Sequence, residues 1–327
     1  MLGEGLEKAG KIEFGGVFQT TLRNRVSCTG IGLHSGEAVQ MTLYPADADH
    51  GIVFLRSDLV GVEGRKRSDC LVPARFDAIG DTTLGSTVVN GQGVSVATVE
   101  HLMSAFAGLR IDNVLVELDA PEVPVFDGSA EPFLFLLECA GICELDAPRS
   151  YIRILQPITF EEDGKRVTLA PYDGFSVELE IEFDSAAIGR QSYEIDMETG
   201  SFKNEIARAR TFGFLQDLEY MQSLGLARGG SLDNAVVLDK DIVLNSDGLR
   251  YKDEFVRHKI LDAIGDLYLA GHAIIGKFHG VCSGHAMNNK LLRVLFANAD
   301  KWELTNRTVT GMKFVAPGQL LEQGVAA

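Results

Sequence analysis

The segment DEFVRHKILDAIGDL carries His258, Asp262 and Asp266 four residues apart, a spacing that aligns them along one helix face. Ile260, Ala263, Ile264 and Leu267 fall on the opposite, apolar side. An imidazole and a carboxylate one turn apart can grip a divalent ion, although the same spacing also occurs on ordinary solvated helix faces. A second histidine, His101, lies in VEHLMSAFAGL. On a wheel of about 100° per residue it projects with Ser104, Ala105 and Gly108, away from Val99, Leu102, Met103, Phe106 and Ala107. His101 with His258 and Asp262 would make two imidazoles and one carboxylate, leaving a position open for water, as in catalytic rather than structural zinc sites. Glu100 adjoins His101 and fits either a general base or a helix N-terminal acid favoured by the macrodipole. His285 in SGHAMNNK sits among turn formers; a carboxylate such as Asp266 would keep it protonated and able to supply a proton to a leaving amine, whereas alone it reads as a surface residue.

These groups need helices to hold them. Periodicity predicts helices near 98–108, 131–140, 203–209, 216–224 and 254–269, with strands over Asn113–Leu118, Val177–Phe183 and Ala235–Asp239. Laying His101 on His258 also places Val99 on Val256 and Gly108 on Gly265, and a one-residue shift places Gly128-Ser129-Ala130 over Gly284-His285-Ala286. Two copies of one strand-helix-strand-helix unit, packed face to face, would bring the two histidines together; the matches are few, and chance is the alternative. A polar stretch at 144–150 reads as the joint between them.

The 327 residues suffice for two domains, and 46% apolar with 23% charged residues fits a folded chain. A formal charge of −16 repels phosphate backbones and anionic headgroups, so nucleic acid is excluded as a partner. The longest uncharged run, 82–99, is rich in Thr, Ser, Gly and Asn, and predicts no membrane span. The charged N-terminus does not read as a secretion signal, which makes the cytoplasm the default location. Five cysteines without a close CxxC pair read as free thiols.

The stretches VEHLMSA, RARTFGF, GLARGGSLDNA, DEFVRHKILDAIGDL and SGHAMNNKLL, in that order, resemble the UDP-3-O-acyl-N-acetylglucosamine deacetylases, zinc amidases of lipid A biosynthesis. The likeness spans about 17–314, leaving 1–16 and 315–327 as extensions. It implies an α+β fold of two related layered halves, 17–145 and 150–314, with the site between them and small insertions, one βαβ-like near 213–240, forming an acyl channel. It further implies His101, His258 and Asp262 as zinc ligands, with Fe(II) an equally suitable ion for that donor set, and Glu100 as the base. His285 would be the acid, partnered by Asp266, and Thr211 a stabiliser of the oxyanion. Lys259, Phe212, Phe183, Leu84 and Gly230 would contact the substrate, an acylated UDP-amino-sugar.

Two features of the residues bear on that implication. The run 250–259 holds four Lys or Arg against two acids, a place for a diphosphate, and Leu215, Leu218, Met221 and Leu224 recur every third residue, offering an apolar wall for an acyl chain or packing on their own core. Where some family members carry a lysine three positions before the catalytic histidine, this chain has Cys282, so phosphate contact would need neighbouring cations. The other readings are a zinc hydrolase of a different acylated amide, and a non-catalytic nucleotide-sugar binder. Oligomeric state is not legible in the sequence, which is compatible with a monomer.

Overall fold

The computed structural model describes residues 18–223 and 226–306; the two expected extensions and Leu224 lie outside them. The first half runs β1 (Phe18–Leu22), β2 (Val26–Ile31), β3 (Ala38–Pro45), β4 (Ile52–Arg56), β5 (Leu71–Pro73), β6 (Ile79–Asp81), β7 (Thr87–Val89), β8 (Ser95–Val96), α1 (Glu100–Leu109), β9 (Val114–Leu118), α2 (Glu131–Ala140) and β10 (Ile142–Pro148). The second runs β11 (Ser150–Ile154), β12 (Ile158–Glu162), β13 (Lys165–Ala170), β14 (Phe175–Glu182), β15 (Arg190–Asp196), β16 (Phe212–Phe214), α3 (Leu215–Ser223), β17 (Val236–Asp239), β18 (Ile242–Val243), α4 (Glu254–Tyr268), β19 (Ala273–Val281), α5 (His285–Ala297) and β20 (Trp302–Asn306). The fold is α+β.

Both halves follow the same sheet path. In the first, β9 pairs antiparallel with β3 and parallel with β4, and these pair antiparallel with β2 and β5. In the second, β19 pairs antiparallel with β13 and parallel with β14, and these pair antiparallel with β12 and β15. Each central strand sits between two helices in the chain, α1 and α2 around β9, α4 and α5 around β19. That shared path is the structural counterpart of the offset that lays His101 on His258.

The halves meet through α1 and α4, and one continuous apolar core runs from Leu102 and Phe106 to Ile264 and Leu267. Backbone approach there depends on Gly265: a Cβ on it would lie 2.0 Å from the Glu100 carbonyl oxygen. α1 ends where Arg110 turns left-handed (φ 57°) and the Ile111 N–H bonds back to Phe106 O.

The region 203–209 differs from the sequence expectation, forming a single π turn, Phe202–Ile206, rather than an α-helix. The expected joint at 144–150 is largely β10, paired with β1, and the chain passes between the halves at Arg149, which is buried and held by Asp112 at 2.8 Å and by Tyr268. In the run 250–259 Arg250 pairs with Asp127, Arg257 with Asp253 and Lys259 with Asp262, while Lys252 is exposed. β16 and β17 lie parallel with α3 between them, a βαβ arrangement. All five cysteines are free.

Candidate active site

α1 and α4 carry the central residues, and neither presents a solvated face there. Glu100, His101, His258, Asp262 and Asp266 are each no more than 4% exposed. Burial removes the ordinary polar-face reading, because charged and imidazole groups so enclosed require partners.

His101 Nε2 and His258 Nε2 lie 3.5 and 3.3 Å from the same oxygen, Asp262 Oδ1, and the two rings meet edge to face at 5.0 Å. The three donor atoms fall within 4.8 Å of one another, a spacing that fits one divalent ion. The surroundings suit ligation. His258 Nδ1 contacts the Ala209 carbonyl at 3.0 Å, which sets that nitrogen as the donor and frees Nε2 for the shared point. Burial pushes the His258 pKa down to about 3, keeping the imidazole neutral, as a ligand must be. Burial would raise Asp262, but His258 and Lys259 hold it well below the usual carboxylate range. Lys259 Nζ bonds the outer oxygen, Oδ2, at 2.8 Å and leaves Oδ1 facing the imidazoles.

Glu100 and His285 stand beside this cluster, with His285 Nε2 4.0 Å from both Glu100 Oε1 and Asp262 Oδ2. Burial raises the Glu100 pKa despite the opposing pull of His285 and His101. His285 opens α5, where burial and the helix dipole both disfavour a cation, yet Asp266 Oδ2 at 2.8 Å from Nδ1, with Glu100 and Asp262, lifts it to about 10. A carboxylate pushed up and an imidazolium pushed up stand 4.0 Å apart, beside donors that could hold a cation, an arrangement able to take and give protons.

Of the remaining expected residues, Phe212 and Lys259 touch the cluster itself. Thr211 is fixed by its N–H to Gly128 O at 2.8 Å and by its carbonyl accepting from Val236 N–H at 2.7 Å, two residues beyond the carbonyl that holds His258. Phe212 lies edge-on to His258 at 6.3 Å and to Phe183 at 5.6 Å, with Lys259 Nζ 5.8 Å from its ring centre. Leu84 is 36% exposed in a loop whose next residue, Gly85, touches Glu100: a Cβ there would lie 2.7 Å from Oε1. Gly230 sits in the loop before β17, which crosses to the first half where Gly229 abuts Gly32. Cys282 has a left-handed backbone (φ 50°) with its N–H on Glu180 O, and nearby Arg190 is bound to Glu180 at 2.7 Å.

Sequence reasoning missed Ser86 and Asn288. Ser86 Oγ donates to Asp266 Oδ1 at 2.6 Å while its N–H donates to Glu100 Oε2 at 2.9 Å, and Asn288 Nδ2 donates to Asp266 Oδ2 at 2.9 Å. Asn288 carried a signal, one helical turn beyond His285; Ser86 carried none. Also missed was the buried Arg210–Glu254 pair at 2.9 Å, which braces the strand entering β16 against the start of α4.

With this geometry, the comparison with known proteins is decisive. The family model for UDP-3-O-acyl N-acetylglycosamine deacetylase (LpxC) matches residues 19–297. The chain belongs to that family. A UDP-3-O-acyl-N-acetylglucosamine deacetylase of Pseudomonas entomophila (strain L48) is 54% identical over 288 residues, covering 88% of this chain and 92% of that protein. As a member of the deacetylase family the chain is a hydrolase acting on an amide, of a metalloenzyme family. No helix among the described residues is long and apolar enough to cross a membrane.

Proposed function

We propose that the chain hydrolyses the N-acetyl group of UDP-3-O-(3-hydroxyacyl)-N-acetylglucosamine in the cytoplasm, releasing acetate and the free amine, the committed step of lipid A biosynthesis. The observation that carries this reading is the convergence of His101, His258 and Asp262 on one point with Glu100 and His285 beside it. The donor set suits Zn(II), with Fe(II) the alternative, and such an ion lowers the pKa of a water and polarises a carbonyl oxygen.

The protein groups account for the proton traffic. Glu100 takes a proton from water as its oxygen bonds to the acetyl carbon, and Thr211 donates to the oxygen that gains charge. The C–N bond then breaks, the electron pair moves to nitrogen, and His285 supplies the proton that makes the amine a leaving group. Lys259, Phe212, Phe183, Leu84 and Gly230 line the approach and orient the sugar and nucleotide. The insertion around α3 supports an acyl site: Tyr220 (66% exposed), Leu226, Leu232 and Ile242 (64%) leave apolar surface open near β16–β18. Acetate release from acylated and non-acylated UDP-N-acetylglucosamine tests the reading. The acylated sugar is expected to turn over far faster, and equal rates would contradict an acyl-binding role.

A further inference from the structure

One residue touches both arms of the chemistry. Ser86 is 2% exposed in the first half, before β7; its hydroxyl contact crosses the seam between the halves, while its N–H contact stays within the first half. Its hydroxyl reaches Asp266 Oδ1 at 2.6 Å, and its N–H reaches Glu100 Oε2 at 2.9 Å. Its carbonyl accepts from Val99 N–H at 3.2 Å, just ahead of α1. The other oxygen of Asp266 is occupied by His285 Nδ1 and Asn288 Nδ2.

We propose that Ser86 is a positioning residue that locks the acid and base of this site into register. Its hydroxyl fixes the rotation of the Asp266 carboxylate, so that Oδ2 meets His285 Nδ1 and turns Nε2 toward the leaving nitrogen. Its backbone N–H holds the base, Glu100, in the same frame. A short O–H to carboxylate bond in a buried setting is strong and directional, and Asp266 deprived of it would swing to recover a donor for Oδ1. The inference rests on the roles proposed for Glu100 and His285.

The test is a kinetic comparison of the metal-loaded wild type, Ser86→Ala, Ser86→Thr, His285→Ala and the Ser86→Ala/His285→Ala double variant, with metal content and unfolding temperature recorded for each. Ser86→Cys serves as a second hydroxyl-free variant should the alanine not fold. Loss of the hydroxyl is expected to lower kcat roughly tenfold to a hundredfold, the range for residues that orient a functional ligand, with KM and metal content held. Ser86→Thr should recover most of the rate, and in the His285→Ala background the hydroxyl should cost nothing further, since it acts through His285. Wild-type kcat in Ser86→Ala, or the same fold loss with and without His285, overturns the inference while leaving the parent reading intact. Wild-type turnover in His285→Ala overturns both.

Discussion

At the residue scale, the site depends on two groups held in opposite protonation roles within one buried volume. Burial lifts Glu100, so its carboxylate is a stronger proton acceptor than a solvated one, and Asp266 lifts His285 to about 10 so that it keeps its proton near neutrality. Substituting Glu100→Ala or His285→Ala should each lower kcat by ~10²-fold or more, the usual contribution of a positioned acid or base, and near-normal turnover in either would refute that residue's role. The pH profile carries a sign. In the proposed role His285 acts as acid only while protonated, so activity should fall as pH rises through its folded pKa, which lies above the ordinary 6.5. Asp266→Asn removes the main charge that raises it, and the alkaline limb of kcat/KM should move to lower pH; a fixed limb would show that His285 does not set it. The same shift means that protonated His285 favours folding most fully below 6.5, an advantage lost as pH rises toward 10. His258, Asp262 and Asp266 were legible because one helix repeats them every four residues. Ser86 was not, because 180 positions separate it from Asp266 and a serine in a Gly/Thr-rich stretch has a turn as its ordinary explanation.

At the element scale, the decisive contact is α1 on α4. The helical wheel separated His101 from the apolar side of α1 and set it among small residues where another element or a ligand could approach, without saying which. The approaching element is α4, and the closest point is its Gly265. Gly265→Ala would press a methyl into the Glu100 carbonyl, 2.0 Å away, and overpacking of this kind costs about 1–3 kcal/mol. A lowered unfolding temperature together with reduced kcat is expected, because the displaced backbone carries Glu100, the proposed base; an unchanged protein would mean the helices are not in this contact. Most helices and strands followed from periodicity, whereas the π turn at Phe202–Ile206 did not, since its burial of Phe202 against Gly108 is a tertiary effect. In the run 250–259 composition counts cations but not the acids that reach them from elsewhere, such as Asp127 on Arg250, so the pairing of three of the four was not legible.

At the scale of the molecule, two halves with one sheet path each contribute a histidine, and the site exists only where they join. The repeated unit was visible in the matching of Val99, His101 and Gly108 with Val256, His258 and Gly265, while the α+β class came from the family resemblance. The rigidity of the junction was not, because a polar, proline-containing stretch gives no sign that Arg149 will be buried on Asp112. The most direct measurement of the whole account is acetate release from acylated UDP-N-acetylglucosamine by protein of known metal content, before and after chelation. Activity should vanish with the metal and return when zinc or Fe(II) is restored to the wild type, but not to His258→Ala, whose ligand set is incomplete. Undiminished release by protein stripped of metal would contradict it.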